Sequence, residues 1–387
     1  MNRNRLLAAA SCIAALALCL AGCARDTGDG GGGGNKILAK GGTGGIVNGS
    51  GGEGGYFDLY KEGGSGRIAL LKSGSADASF TPRTFTPIYG DKKLTIATST
   101  TLTILNTNSI ANEDFPAAGV AYVVLSPAYI DNSYMGEYFN IFISNGTIAN
   151  VNQLLTQNHV TGIEVKAGAT LTLPLNYVGE GTFTRIDLDH DLANYGTIKS
   201  MKIDNSTMSS LDFHMDSYLG SGSLDTKGTL PGQSGGDIDF DCDGSFANSG
   251  PITTQGADME DGNAGSGGDF YVWSDYFTEN TAAINTSGGM AVGNSGTGGN
   301  AGSLELESDY AQTNNSGTLT AKGGDGVDGG GSGGYTELYA CCVGGLHNTG
   351  NIITSGGGAT AGNGGSAGDI YIQTYGGDLK SSGTLTA

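Results

Sequence analysis

The chain has 387 residues, of which 38 are Asp or Glu and 18 are Lys or Arg, for a formal net charge of −20 at pH 7. That balance argues against nucleic acid or an anionic lipid surface as the main partner, and fits divalent cations, basic surfaces or plain solubility. Glycine, at 71 residues, is abundant enough for a disordered chain unless apolar residues punctuate it at a fixed period.

Arg3 and Arg5 precede an apolar run from Leu6 to Leu20 that closes on small residues. The run is short for a bilayer span and reads as a secretory leader over 1–22. The segment Leu20-Ala21-Gly22-Cys23 resembles the bacterial lipobox. That resemblance implies a lipoprotein of the cell envelope, with lipid on Cys23 and membrane contact through acyl chains. By the same resemblance, Ala24 directly after the cysteine implies the outer membrane or cell surface. Losing the leader removes Arg3 and Arg5 and no acid, so the mature chain is more acidic still. Residues 23–34, ending in the run Gly30 to Gly34, read as a flexible tether. Cys12 and Cys19 leave with the leader, and Cys242, Cys341 and Cys342 make neither a disulfide framework nor a zinc site.

Residues 35–75 read as Gly-rich β-coils: Gly55 leads to Phe57 and Leu59, and Gly66 to Ile68 and Leu70. Residues 76–195 are less Gly-rich but strand-like. Leu94-Thr-Ile96 leading to Thr101-Leu-Thr-Ile104 parallels Ile163-Glu-Val165 leading to Thr170-Leu-Thr-Leu173. Short β segments follow at Ala121 to Leu125, Tyr138 to Ile143 and Thr184 to Leu188, and Ile148 to Gln157 is the one stretch with helical periodicity.

Residues 196–387 carry the clearest repeat. A Gly-Gly or Ala-Gly pair ends at Gly236, Gly268, Gly302, Gly334 and Gly368, spaced 32 to 34 residues apart. Two and four residues beyond each lie Ile238 and Phe240, Phe270 and Val272, Leu304 and Leu306, Thr336 and Leu338, and Ile370 and Ile372. Such period-2 alternation marks a strand with one buried face. A second strand recurs at Leu224, Ile252, Ile284, Leu319, Ile352 and Leu385, with Thr226, Thr254, Thr286, Ala321, Thr354 and Ala387 two residues later. Glycines between the strands are expected to supply positive φ at tight corners. A unit of about 33 residues cannot bury its own apolar face, so the units must stack. The expected fold is all-β: a parallel β-helix or solenoid, right-handed by the usual preference, with one coil per repeat or, as the alternative, two short ones.

The Gly-rich units resemble those of filamentous-haemagglutinin-type adhesins. Val165-Lys-Ala-Gly-Ala-Thr-Leu-Thr-Leu173 resembles coils of pectate-lyase-like right-handed β-helices. The likeness implies architecture and not activity. Polygalacturonase-like signatures (Asn-Thr-Asp, Asp-Asp, Gly-His-Gly, Arg-Ile-Lys) do not occur, and His159, His190, His214 and His347 are scattered with no triad arrangement. No catalytic residue is therefore assigned, and the balance leans away from an enzyme.

Stacked coils would line one outer face with Asp239, Tyr271, Glu305, Glu337 and Tyr371, three residues past each anchor glycine. Asp241, Trp273, Glu307, Tyr339 and Gln373 lie five past, and Tyr335 one past. Tyr271, Trp273, Tyr335, Tyr339, Tyr371, Glu305 and Glu337 form the candidate ligand face, because aromatic rings stack on sugars while carboxylates accept hydroxyl protons. Mutual stacking of the aromatics along the ladder is the plainer alternative. Glu305 and Glu337 as ladder neighbours would hold a cation or raise a pKa.

For a metal, Asp239, Asp241 and Asp243 fall in an Asp-x-Asp-x-Asp-Gly run that resembles the start of a calcium loop, although Gly250 stands where the bidentate Glu belongs. Asp187, Asp189 and Asp191 alternate in the same way. Gly323-Gly-Asp-Gly-Val-Asp328 resembles one calcium-binding nonapeptide, but with Gly330 at the apolar position. Alternating acids on a strand are also what a solvated face looks like.

These readings favour a surface-exposed, membrane-anchored structural or adhesive lipoprotein presenting a repetitive face to glycans or matrix, with no required cofactor and Ca2+ as a candidate ion. A polysaccharide lyase or hydrolase and a self-associating envelope scaffold are the alternatives. The last unit stops at Thr386-Ala387, and an uncovered ladder edge invites pairing, so end-to-end association or a truncated product is expected. Cys242 is expected to be a small core residue, ~14 Å from Cys341 and out of disulfide reach.

Overall fold

The computed structural model describes residues 161–173, 183–200, 205–341 and 344–387. It also describes shorter stretches before them (37–38, 41–45, 49–61, 68–70, 83–91, 93–96, 98–99, 101–103, 105–106, 122–129 and 136–144). The leader, Cys23, the tether, His159 and the segment Ile148 to Gln157 lie outside the described residues.

Each coil passes through three sheets. Ile238–Cys242, Phe246–Asn248 and Ile252–Thr253 form one coil, and Phe270–Ser274, Thr278–Asn280 and Ile284–Asn285 form the next. The chain is thus a parallel β-helix with one coil per repeat, in sheets of 11, 10 and 10 strands, and no helix occurs among the described residues. Pairing is parallel throughout, except where Tyr122–Tyr129 runs antiparallel to Gly136–Ser144 near one end.

The sheet built from the strands after the anchor glycines, here the anchor sheet, follows the sequence pattern rung by rung. Ile238 pairs with Phe270, Phe270 with Leu304, Leu304 with Thr336 and Thr336 with Ile370. These residues are buried, as are Phe240, Val272, Leu306, Leu338 and Ile372, while the residues between them are half-buried. Each of the apolar side chains among them contributes about 1.5–3 kcal/mol by leaving water. Aromatic stacking tightens one section of the core: Phe213 on Phe240 at 5.3 Å, and Tyr218 on Phe246 at 5.0 Å. Cys242 is fully buried, and burial pushes its thiol pKa up, as befits an inert core residue.

A third strand per coil escaped the sequence pattern. Phe246–Asn248, Thr278–Asn280, Thr313–Asn315 and Leu346–Asn348 are three residues long and end on a buried asparagine. The amides form a ladder: Asn248 Nδ2 donates to Asn280 Oδ1 at 2.9 Å, Asn280 to Asn315 at 2.8 Å, and Asn315 to Asn348 at 2.8 Å. Each Nδ2 also donates to a carbonyl two residues on, as Asn248 does to Gly250. This asparagine sheet is therefore specified by hydrogen bonding more than by apolar alternation.

The small-residue column two past the apolar residue of the remaining strand is buried as expected. Its hydroxyls reach the anchor glycines, with Thr254 Oγ1 donating to the Gly268 carbonyl at 2.5 Å and Thr286 to Gly302 at 2.9 Å.

The glycine-rich connections correct one expectation. Positive φ among the described glycines is confined to Gly90, Gly168, Gly232, Gly262, Gly296, Gly345 and Gly377. Most of the others lie where backbones approach too closely for a side chain. Successive loops interleave through a chain of amide bonds: Gly289 to Gly265, Gly299 to Gly289, Gly324 to Gly299, Gly331 to Gly324, Gly357 to Gly331, then Gly365 to Gly357. A Cβ on Gly299 would fall 1.9 Å from the Gly265 carbonyl oxygen.

Much of the acidity is also structural. Asp237 accepts the Asp269 amide at 2.8 Å and Asp269 that of Ser303 at 2.7 Å. Asp258 accepts the Met290 amide, Asp325 that of Gly358, and Asp328 that of Gly296. Carboxylates at the corners thus join each coil to a neighbouring one.

The coils are not stacked in sequence order. Ile37–Leu38, Phe57–Lys61 and Ile68–Leu70 pair with Leu385–Thr386, Ile370–Thr374 and Leu379–Ser381, so the N-terminal coil covers the ladders of the last repeat. The loop follows suit: the Gly42 amide donates to Gly365 at 2.7 Å, and Gly52 to Gly42 at 2.8 Å. Residues 83–90 lie against the outer side of the asparagine sheet. Arg83 Nη2 donates to Gln312 Oε1 at 3.0 Å, with its guanidinium 5.6 Å from the Phe277 ring centroid. Phe85 packs edge-on to Phe277 at 6.4 Å, and the Ile88 amide donates to Asp191 at 2.6 Å. Outward positions of that sheet are buried in consequence, Glu279 at 2% exposure among them.

Candidate ligand-binding face

With that sheet partly covered, the anchor sheet offers an ordered outer face. Its first outward ladder reads Asp212, Asp239, Tyr271, Glu305, Glu337, Tyr371 and Asp58, each in register with the next. The second reads His214, Asp241, Trp273, Glu307, Tyr339, Gln373 and Tyr60. Neighbours along a ladder stand ~4.8 Å apart. Every residue of the expected ligand face lies on or beside these two rows.

The aromatics are placed in two ways. Tyr271, Trp273, Tyr339 and Tyr371 are half-buried in the rows. Tyr335 and Tyr371 pack with ring centroids 5.2 Å apart, and Tyr339 and Tyr375 edge-on at 5.9 Å. Mutual stacking therefore operates at the end nearest the N-terminal coil. Tyr60, Tyr276 and Tyr310 are exposed at or beside the same sheet.

The carboxylates converge in the middle of the face. One oxygen from each of Glu305, Glu307 and Glu337 lies within 4.8 Å of the others. Burial pushes the Glu305 pKa up to about 7, helped by the charges of Glu337, Asp269 and Asp239. Glu337 is also raised by burial, offset by a hydrogen bond from the Tyr335 hydroxyl.

Along one corner, the residue just past each anchor-sheet strand is Asp216, Asp243, Asp275 and Asp309, then Cys341 and Tyr375. Their amides continue the ladder, Asp275 bonding Cys242 and Asp309 bonding Ser274. Burial, then Asp243, Asp309 and Asp241, pushes the Asp275 pKa up to about 6. Asp243 is held low by its hydrogen bond with His214, and His190 Nδ1 lies 3.2 Å from Asp216.

The calcium-like run is spread over these features. Asp239 lies on the first ladder, Asp241 on the second and Asp243 on the corner, and the three are not a ligand-distance group among the described residues. Asp325 and Asp328 of the nonapeptide-like segment instead accept backbone amides. Sequence reasoning overlooked Tyr375, Asp275 and Asp309; counting one residue past every strand would have aligned them.

The geometry offers aromatic surfaces beside three carboxylates whose oxygens lie within 4.8 Å of one another. No protein-family model, curated protein or solved structure matches the chain. What is established is the class: an all-strand parallel β-helix.

Proposed function

We propose that this is a lipid-anchored protein of the bacterial cell envelope, at the outer membrane or cell surface, whose anchor-sheet face binds polysaccharide or matrix glycan. The observation that carries the reading is the pair of outward ladders, where Tyr271, Trp273, Tyr339 and Tyr371 share a continuous register with Glu305, Glu307 and Glu337. Rings present apolar faces to sugar C–H groups, while carboxylates accept their hydroxyl protons. Rigid placement on strands lowers the ordering cost of binding. Ca2+ held by Glu305, Glu307 and Glu337 would relieve their mutual repulsion and offer coordination to sugar hydroxyls.

The test is a glycan-array screen of residues 35–387, with calcium and with chelator. Binding that falls at least tenfold in Trp273→Ala or Tyr271→Ala, with unchanged melting temperature, supports the reading. No binding in either condition, or binding indifferent to both substitutions, overturns it; turnover of a bound polysaccharide would favour the lyase or hydrolase alternative. The anchor is tested separately by metabolic labelling with a fatty acid, which Cys23→Ala should abolish.

A further inference from the structure

The coil that covers the end of the stack comes from the opposite end of the sequence, and its attachment is largely made by the main chain. The amides of Ala359, Ala367 and Ile370 donate to the carbonyls of Thr43, Glu53 and Tyr56, at 2.7 to 2.8 Å. Phe57–Lys61 keeps the register of Ile370–Thr374 over five rungs, as consecutive repeats do. Contacts of this kind depend on register, and an identical segment from another molecule supplies the same set.

The seam is not fully packed. A cleft of about 350 Å³ opens between Gly41–Thr43 and the loops at Lys322, Asp325–Gly326 and Ser355–Thr360. The connection from Leu70 to Lys93 can extend to roughly 75 Å. The strands it joins stand at opposite edges of a 10-stranded sheet, ~43 Å apart at ~4.8 Å per strand. That leaves slack for the coil to reach beyond its own molecule. Along the connection, Arg83 and Phe85 are held through exposed or half-buried side chains, while Ile88 and Tyr89 are held by main-chain bonds with Asp191 and Thr161, so the free reach lies between Leu70 and Arg83.

We propose that the edge formed by Ile370–Thr374, Leu379–Ser381 and Leu385–Thr386 is a docking surface for the N-terminal coil of a second copy of this chain. Exchange of that coil produces a coil-swapped dimer. Both arrangements make the same contacts, so concentration decides between them. The connection from Leu70 to Lys93 favours the intramolecular form in dilute solution, and crowding of anchored molecules favours exchange. This inference is independent of the ligand-binding reading.

The test uses the mature chain with Cys23→Ser, Cys341→Ser and Cys342→Ser, which leaves buried Cys242 as its one native thiol. Tyr60 and Gln373 are register partners pointing outward, so cysteines at the two positions fall within disulfide reach. A chain carrying Tyr60→Cys is co-refolded with one carrying Gln373→Cys, oxidised, and examined on a non-reducing gel. The expected result is a covalent heterodimer whose fraction rises roughly tenfold for a tenfold rise in concentration while still scarce. A single chain bearing both substitutions should give an intrachain link in dilute solution. The intrachain link with no heterodimer at any concentration overturns exchange. Absence of both overturns docking of the coil itself, and equal homodimer yield from Tyr60→Cys alone overturns the assigned edge.

Discussion

Ile37 and Leu385 sit opposite each other on one rung of a parallel ladder, although they lie near opposite ends of the sequence. The loop beside that rung has no room for a side chain at Gly52, where a Cβ would stand 1.8 Å from the Gly365 carbonyl oxygen. Gly52→Val should therefore lift the N-terminal coil and leave the rest of the helix folded. Hydrogen exchange should accelerate at the Ala359, Ala367 and Ile370 amides and stay unchanged at Phe270 and Leu304. Acceleration at all five would refute a locally detachable coil.

The asparagine ladder predicts a large cost from a polar deletion. Asn280→Ala removes the acceptor of Asn248 Nδ2 and the donor to Asn315 Oδ1, both in fully dry surroundings. Each unpaired buried group costs about 1–3 kcal/mol, so a loss of about 2–5 kcal/mol is expected. Gln255→Ala, on a partly exposed side chain bonded to Asn285, should cost under about 0.5 kcal/mol. Chemical denaturation of the two variants checks the contrast.

Raised carboxyl pKa values give stability a definite pH slope. Glu305 titrates near pH 7 and Asp275 near pH 6 in the folded chain, whereas both titrate near pH 4 when unfolded. Between those limits the unfolded chain releases protons that the folded chain keeps, so stability falls as pH rises from about 4.5 to about 7 and then levels off. Melting temperatures across that range should decline, and Glu305→Gln should flatten the decline. An identical slope in the variant would place the titration elsewhere. Asp243 and Glu164, both held low, act in the opposite sense below about pH 4.

Arg83 ties the segment 83–90 to the asparagine sheet. Its side chain bonds Gln312 and lies over Phe277, and its backbone amide and charge both favour the ionised form of buried Glu279. Arg83→Ala should destabilise by about 1–2 kcal/mol. Proteolysis between Leu70 and Lys93 should become several-fold faster. Unchanged cleavage would mean that Phe85 and Ile88 suffice to hold the segment.

What could be read from the sequence followed from strict periodicity. Ile238, Phe270, Leu304, Thr336 and Ile370 recur at fixed intervals on one face of a period-2 pattern, and they form consecutive rungs. The outward rows bearing Tyr271, Trp273, Glu305 and Glu337 followed from the same count. The asparagine strands did not, because three residues, of which the second inward one is a polar asparagine, carry too short an apolar pattern to register. The role of most glycines was misassigned because close backbone approach and positive φ leave the same letter in the sequence.

By itself, then, the sequence determined the repeat, the parallel stacking and which side chains face out, since each depends only on local alternation and the need to bury it. Only the tertiary structure decided that the N-terminal coil seats on the last repeat, that residues 83–90 cover the asparagine sheet, and that Glu307 joins Glu305 and Glu337. Those relations depend on which ladder edge a coil finds. Main-chain hydrogen bonding accepts any strand of matching register, so the choice of edge is made in three dimensions and leaves no local mark in the chain.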